Sequence, residues 1–179
     1  MPYPDMDALS QEKRDAVGYP DKTPLNITRM GLHAPEGIWR GHFAMKQAAV
    51  YDTTLEARLK EVLILRVAHL SQCAYELHHH LSISAHLGFT AQEQEALAFG
   101  RYELLSAEER AVAKFTDEVV LDVRAGDETL GEVRRLFGDA LVTEILILIG
   151  SYMSTARMVR TCGVQPEAEP IRSWSATAP

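Results

Sequence analysis

Between Leu55 and Val164 the chain contains no proline, whereas Pro2, Pro4, Pro20, Pro24 and Pro35 crowd one end and Pro166, Pro170 and Pro179 the other. Proline removes a backbone donor and clashes with the preceding helical turn, so its absence permits long uninterrupted helices through the middle of the chain. Apolar residues there recur at helical spacing, with Leu55, Leu59, Val62, Leu63 and Leu65 forming one stripe. No period-2 alternation marks a strand, and the expected fold class is all-α.

Local signals divide this helical stretch. A short helix is expected around Asp7 to Val17, then a loop over "GYPDKTPLN", then a helix from Pro35 to Tyr51 with proline in its favoured first turn. Thr54 is the expected N-cap of the next helix, which ends near Ser71. Another runs from Cys73 to Leu87 and stops at Gly88. Thr90 with Glu93, and Ser106 with Glu109, have the spacing of capping boxes. Asp127 is expected to cap "ETLGEVRRLFG", and a last helix covers about Asp139 to Thr161. The expected organisation is an N-terminal extension over 1–34, a helical domain over 35–165 with two repeat halves, and an irregular tail over 166–179.

The halves are suggested by self-similarity. "LKEVLILRVAHL" from Leu59 resembles "VTEILILIGSYM" from Val142, with Glu61 matching Glu144 at an offset of 144 − 61 = 83 residues. Two such apolar helices are expected to pack together in the core. At the same offset Cys73, Glu76 and His80 fall on Ala156, Val159 and Gly163, so only the first copy carries reactive side chains.

Composition narrows the function classes. At 179 residues, 46% hydrophobic and 24% charged, the chain suits one soluble domain or two small halves sharing a core. A formal net charge of -7 speaks against a nucleic-acid partner, because phosphate binding needs a basic surface. No apolar run reaches the roughly 20 residues of a membrane span, so no membrane partner is expected. The acidic start "MPYPDMDALSQEKRD" lacks the parts of a signal peptide, which makes a cytoplasmic location the default expectation. Cys73 and Cys162 make no disulfide framework.

Chemistry concentrates in "CAYELHHHLSISAH", Cys73 to His86. On a helix Cys73, Glu76 and His80 share one face at i, i+3 and i+7, and Glu76 and His80 are i, i+4 neighbours. A turn near Ser71 and Gln72 would fold the preceding helix back and bring Glu61 toward the cysteine end. His78, His79 and His80 point about 100° apart and cannot all bind one ion; no strong metal signature is present, and no metal is expected. His78 reads as a solvated surface residue, and Cys162 as structural. Arg66 in "LILRVAHL" is a candidate cation for an anionic substrate, or else a structural ion pair. His69 and Tyr75 are candidates to line the same pocket.

The order Glu61, eleven residues, Cys73, two residues, Glu76, three residues, His80 resembles the alkylhydroperoxidase D motif, in which a second cysteine stands where Glu76 stands here. The chain is thus similar to the alkylhydroperoxidase D and γ-carboxymuconolactone decarboxylase superfamily from about Leu55 to Leu97, and more loosely beyond. The resemblance implies an all-helical bundle of repeated hairpins, self-assembly as trimers or hexamers, and a small-molecule substrate. It places Glu61, Cys73 and His80 at the positions of the relay glutamate, the redox thiol and the relay histidine. With Glu76 in place of the second thiol, no local disulfide can form. The resemblance then implies a decarboxylase-like lyase, in which His80 and Glu76 move protons on a small lactone or organic acid without a cofactor. The alternatives are a one-cysteine hydroperoxide reductase that passes through a sulfenic acid, and a non-catalytic oligomeric binding protein.

Overall fold

The computed structural model describes residues 1–172, and all regular structure among them is helical. A 3₁₀ turn at Met6–Ala8 precedes α1 (Gln11–Ala16), α2 (Asn26–Gly31), α3 (Glu36–Tyr51), α4 (Ala57–Leu70), α5 (Ala74–His86), α6 (Ala91–Phe99), α7 (Ala107–Asp122) and α8 (Asp127–Cys162).

α4 is the hub. Every residue from Leu59 to Ala68 is buried, so this helix is surrounded on all sides, as its continuous apolar run demands. It packs on α5, α6, α7 and α8, most extensively on α7. The expected α4–α8 pairing is therefore present, with α7 the larger neighbour. Three charged residues are carried inward, and each needs a partner to offset its desolvation. Lys60 donates to Ala49 O at 3.3 Å, Glu61 meets His80, and Arg66 meets Asp117.

Both capping boxes form. Thr90 Oγ1 accepts from Glu93 N at 3.2 Å and Ser106 Oγ from Glu109 N at 3.1 Å, with each glutamate returning to the cap N–H. The two glutamates also pair with Arg58 at 3.0 and 2.9 Å, which ties the start of α4 to α6 and α7.

Four expectations are corrected. The N-terminal helix splits, because Ser10 caps Lys13 N and starts α1 afresh. α2 was not anticipated. The N-cap of α4 is Glu56, whose carboxylate accepts from Arg58 N and Leu59 N; the Thr54 hydroxyl instead donates to Glu144 Oε2 at 2.6 Å. Asp127 is not the cap of the helix that follows it, because Gly126 holds the N-cap position without a side-chain hydrogen bond. The last two expected helices are both present within α8 and meet at a kink at Gly138, whose φ of 74° and ψ of 167° suit glycine alone.

By length and composition alone, α8 is long and apolar enough to cross a membrane. Its Val142, Ile145, Leu148, Ile149 and Tyr152 nevertheless form part of the core, while Leu146 and Ile147 stay exposed.

Candidate active site

α4 and α5 form a tight antiparallel hairpin. Gln72 adopts a positive φ of 50°, and Cys73 N donates to Ala68 O at 2.8 Å, which reverses the chain within three residues. Positions roughly equidistant from this turn then face each other. Glu61 Oε2 lies 2.9 Å from His80 Nδ1, with Glu61 wholly buried and His80 5% exposed. The hairpin thus sets Glu61 opposite His80, deep along the helices, rather than at the cysteine end. The His80 ring also stands edge-on to Tyr152 of α8, with centroids 5.6 Å apart.

A cavity of about 480 Å³ lies between the N-terminal segment, α3, α5 and α8. His80, Glu76, His79 and Tyr75 present one wall, and Trp39, Phe43 and Val50 an apolar one. The exposed Lys22 and Tyr51 mark its mouth.

Glu76 is 3% exposed, and neither of its carboxyl oxygens finds an N–H or O–H donor. Burial pushes its pKa up to about 8, only partly countered by Lys46 and the Cys73 thiol. At neutral pH the group is a carboxylic acid within the cavity.

Lys46 reaches in from α3. It donates to Thr155 Oγ1 and, at 3.4 Å, to Ser151 O, and its ammonium sits 4.6 Å from the Tyr152 ring centroid. Burial lowers its pKa to about 8 against the pull of Glu76, although the two form no direct ion pair.

Cys73 does not line the cavity. It is wholly buried as the N-cap residue of α5, packed with Met30, Tyr75, Ala156, Val159 and Val164. Burial and the adjacent Glu76 push its thiol up to about 11, outweighing the backbone N–H groups at the helix start.

The histidine run divides three ways. His79 Nε2 lies 2.6 Å from Glu167 Oε2, and Ile171 N donates to His79 Nδ1 at 3.2 Å. An accepting Nδ1 makes this the neutral Nε2–H tautomer. Glu167 also accepts from Tyr75 Oη at 3.0 Å and Asn26 N at 2.6 Å. Burial opposes its charge, yet the His79 and Asn26 hydrogen bonds hold its pKa below the usual carboxylate value. The segment after α8, expected to be an irregular tail, thus closes the site's flank; its part beyond Arg172 lies outside the described residues. His78, expected at the solvated surface, is half-buried, and its buried Nε2 has no hydrogen-bond partner among the described residues.

Of the expected site residues, Glu76, His80 and Tyr75 line the cavity, Glu61 backs His80, and Cys73 lies behind the wall. Arg66 and His69 lie elsewhere. Arg66 Nε binds Asp117 at 2.7 Å and Nη1 donates to Leu97 O, so its charge is spent between α4, α6 and α7. His69 is half-buried near the end of α4, and burial together with Arg66 disfavours its charged form.

Three participants were missed: Lys46, Glu167 and Tyr152. Lys46 had a weak signal, a cation one helical turn after His42. Glu167 had none, because its partners lie 88 and more residues away.

Residues 40–118 match the model of the carboxymuconolactone decarboxylase family. No curated protein matches the sequence. Among solved structures, an uncharacterized peroxidase-related protein from Silicibacter sp. TM1040 superimposes with a TM-score of 0.79 at 18% identity, covering 97% of this chain and 94% of that one. The alkylhydroperoxidase AhpD core of an uncharacterized peroxidase-related protein from Ralstonia eutropha JMP134 gives 0.77 at 20% identity, covering 94% and 92%. The debrominase Bmp8 gives 0.66 at 18%, covering 97% and 90%. At these identities the structures speak to the fold. Residues 40–118, running from α3 into α7, are thus similar to the carboxymuconolactone decarboxylase family, and the helical bundle has the fold of the alkylhydroperoxidase D-like structures.

Proposed function

We propose that the protein is a cofactor-free lyase of the carboxymuconolactone decarboxylase type, acting on a small lactone or organic acid by proton transfer. One observation carries this reading: Glu76 and His80 line the cavity, while Cys73 is sealed behind it as a protonated thiol. The Glu61 carboxylate fixes the orientation of the His80 ring, which suits His80 to take up and return a proton. Glu76, neutral at pH 7, is placed to protonate the carbon from which carbon dioxide departs. Lys46 in its ammonium form supplies the cation for a carboxylate substrate, the role expected of Arg66.

A thiol peroxidase needs an accessible thiolate, and Cys73 is neither exposed nor readily ionised. The test sets the two chemistries side by side, with γ-carboxymuconolactone turnover and hydroperoxide consumption measured on the wild type, Cys73→Ala and His80→Ala. Lactone turnover that survives in Cys73→Ala and is lost in His80→Ala supports the proposal. Hydroperoxide turnover that disappears with Cys73 defeats it.

The proposal includes self-association. Leu146 and Ile147 on α8 are 41% and 48% exposed, and a second copy would cover them. A monomer in light scattering at micromolar concentration rejects that part.

A further inference from the structure

We propose that the cavity has a second chemistry: the Lys46 amine condenses with the carbonyl of a small 3-oxo acid, and carbon dioxide leaves through the resulting imine. This rests on the preceding reading only in using Glu76 as the proton donor.

The geometry supplies the parts. Lys46 Nζ faces two oxygen acceptors, Thr155 Oγ1 and Ser151 O. A neutral amine keeps two N–H groups for them and leaves its lone pair to the cavity it lines. Glu76 makes no ion pair with the lysine that would hold it as ammonium, and its oxygens are unpartnered inside the same cavity. Burial lowers Lys46 to about 8. At pH 7 this gives roughly 300 times the neutral-amine fraction of an ordinary lysine. A desolvated lysine is the usual form of an amine nucleophile aimed at carbonyls. The apolar wall of Trp39, Phe43 and Val50 favours the step that discharges the substrate carboxylate.

The steps balance as follows. The amine nitrogen adds to the keto carbon, and with one proton taken up the carbinolamine loses water to give the iminium. The bond between the α-carbon and the carboxylate breaks. Its electron pair flows to the iminium nitrogen, releasing carbon dioxide and leaving a neutral enamine. Glu76 gives its proton to the α-carbon, which restores the iminium. Water then adds, the ketone leaves, and the proton set free returns to Glu76, while Lys46 is again an amine.

The test incubates the full chain with acetoacetate and sodium borohydride, maps the reduced adduct by peptide mass spectrometry, and follows acetone release without reductant. The expected result is one adduct per chain on Lys46, labelled at least ~10-fold more than the exposed Lys114, and lost in Lys46→Arg. The wild-type peptide map is decisive even where the variant folds poorly. No adduct, or labelling of Lys114 equal to that of Lys46, overturns the inference. His80-dependent lactone turnover without a Lys46 adduct removes this inference alone. A Lys46 adduct without lactone turnover supports it and removes the lactone reading instead.

Discussion

Replacing Glu76 by glutamine should stabilise the protein at neutral pH, by an amount that depends on pH in a defined way. Glu76 has its pKa raised from 4.5 to about 8 in the folded state by burial. Between those values the unfolded chain releases a proton that the folded chain keeps. Stability therefore falls as pH rises from 4.5 to 8, and levels off above. At pH 7 the accumulated penalty spans about 2.5 pH units, or about 3 kcal/mol at 1.36 kcal/mol per unit. Glutamine keeps the size and neutrality of the protonated acid and has no proton to lose. Glu76→Gln should then gain about 3 kcal/mol over the wild type at pH 7, or about 6–12 °C in Tm for a chain of this size, and less than about 1 kcal/mol at pH 5. The assay is urea unfolding of both proteins at pH 5, 6, 7 and 8. Parallel pH profiles, or a variant less stable at every pH, would show that the native carboxyl is ionised and stabilised. The Glu76 acid role would fail with it.

Three further outcomes bear on the rest of the molecule. Glu61→Gln keeps an acceptor for His80 but removes the charge, so lactone turnover should fall about 10²-fold with the melting temperature little changed; an unchanged rate refutes the dyad. Arg66→Lys cannot reach both Asp117 and Leu97 O, and should lose about 1–3 kcal/mol in denaturant unfolding while leaving KM unaltered. A raised KM would restore Arg66 as a substrate contact. A Cβ at Gly138 would meet nothing within 4 Å, so Gly138→Ala tests backbone strain alone and should cost about 1–3 kcal/mol. No loss would mean that α8 straightens there.

What could be read in advance was what local chemistry determines. Proline placement, capping boxes and apolar stripes are properties of neighbouring residues, and the helices of the hairpin region followed them closely. The spacing of Glu61, Cys73, Glu76 and His80 was legible too, because helix periodicity and one tight turn relate them. Failures came where a long-range partner outbid a local one. Thr54 has the side chain of a good N-cap, yet Glu144, 90 residues away, takes its hydroxyl. Arg66 looked available to a substrate until Asp117, 51 residues on, claimed it. Lys46 became the cavity's cation through Ser151 and Thr155, which nothing near it in sequence announces.

The internal likeness sharpens the same point. Glu61 and Glu144 hold matching places in apolar helices, but one is wholly buried against His80 while the other accepts from Thr54 and Leu55 at the entry to α4. Beyond them the two segments part. The first turns at Ser71 and Gln72, while α8 runs on unbroken through the corresponding Ser154 and Thr155. Ala156 and Val159, aligned with Cys73 and Glu76, are therefore not empty versions of a second site, and their lack of reactive groups carries little weight by itself. They pack in the apolar cluster that encloses Cys73. The α8 segment contributes the inert surface that seals the thiol, and through Tyr152, Ser151 and Thr155 it seats Lys46. A turn in one helix and its absence in the other is what lets two similar apolar segments serve as different walls of one site.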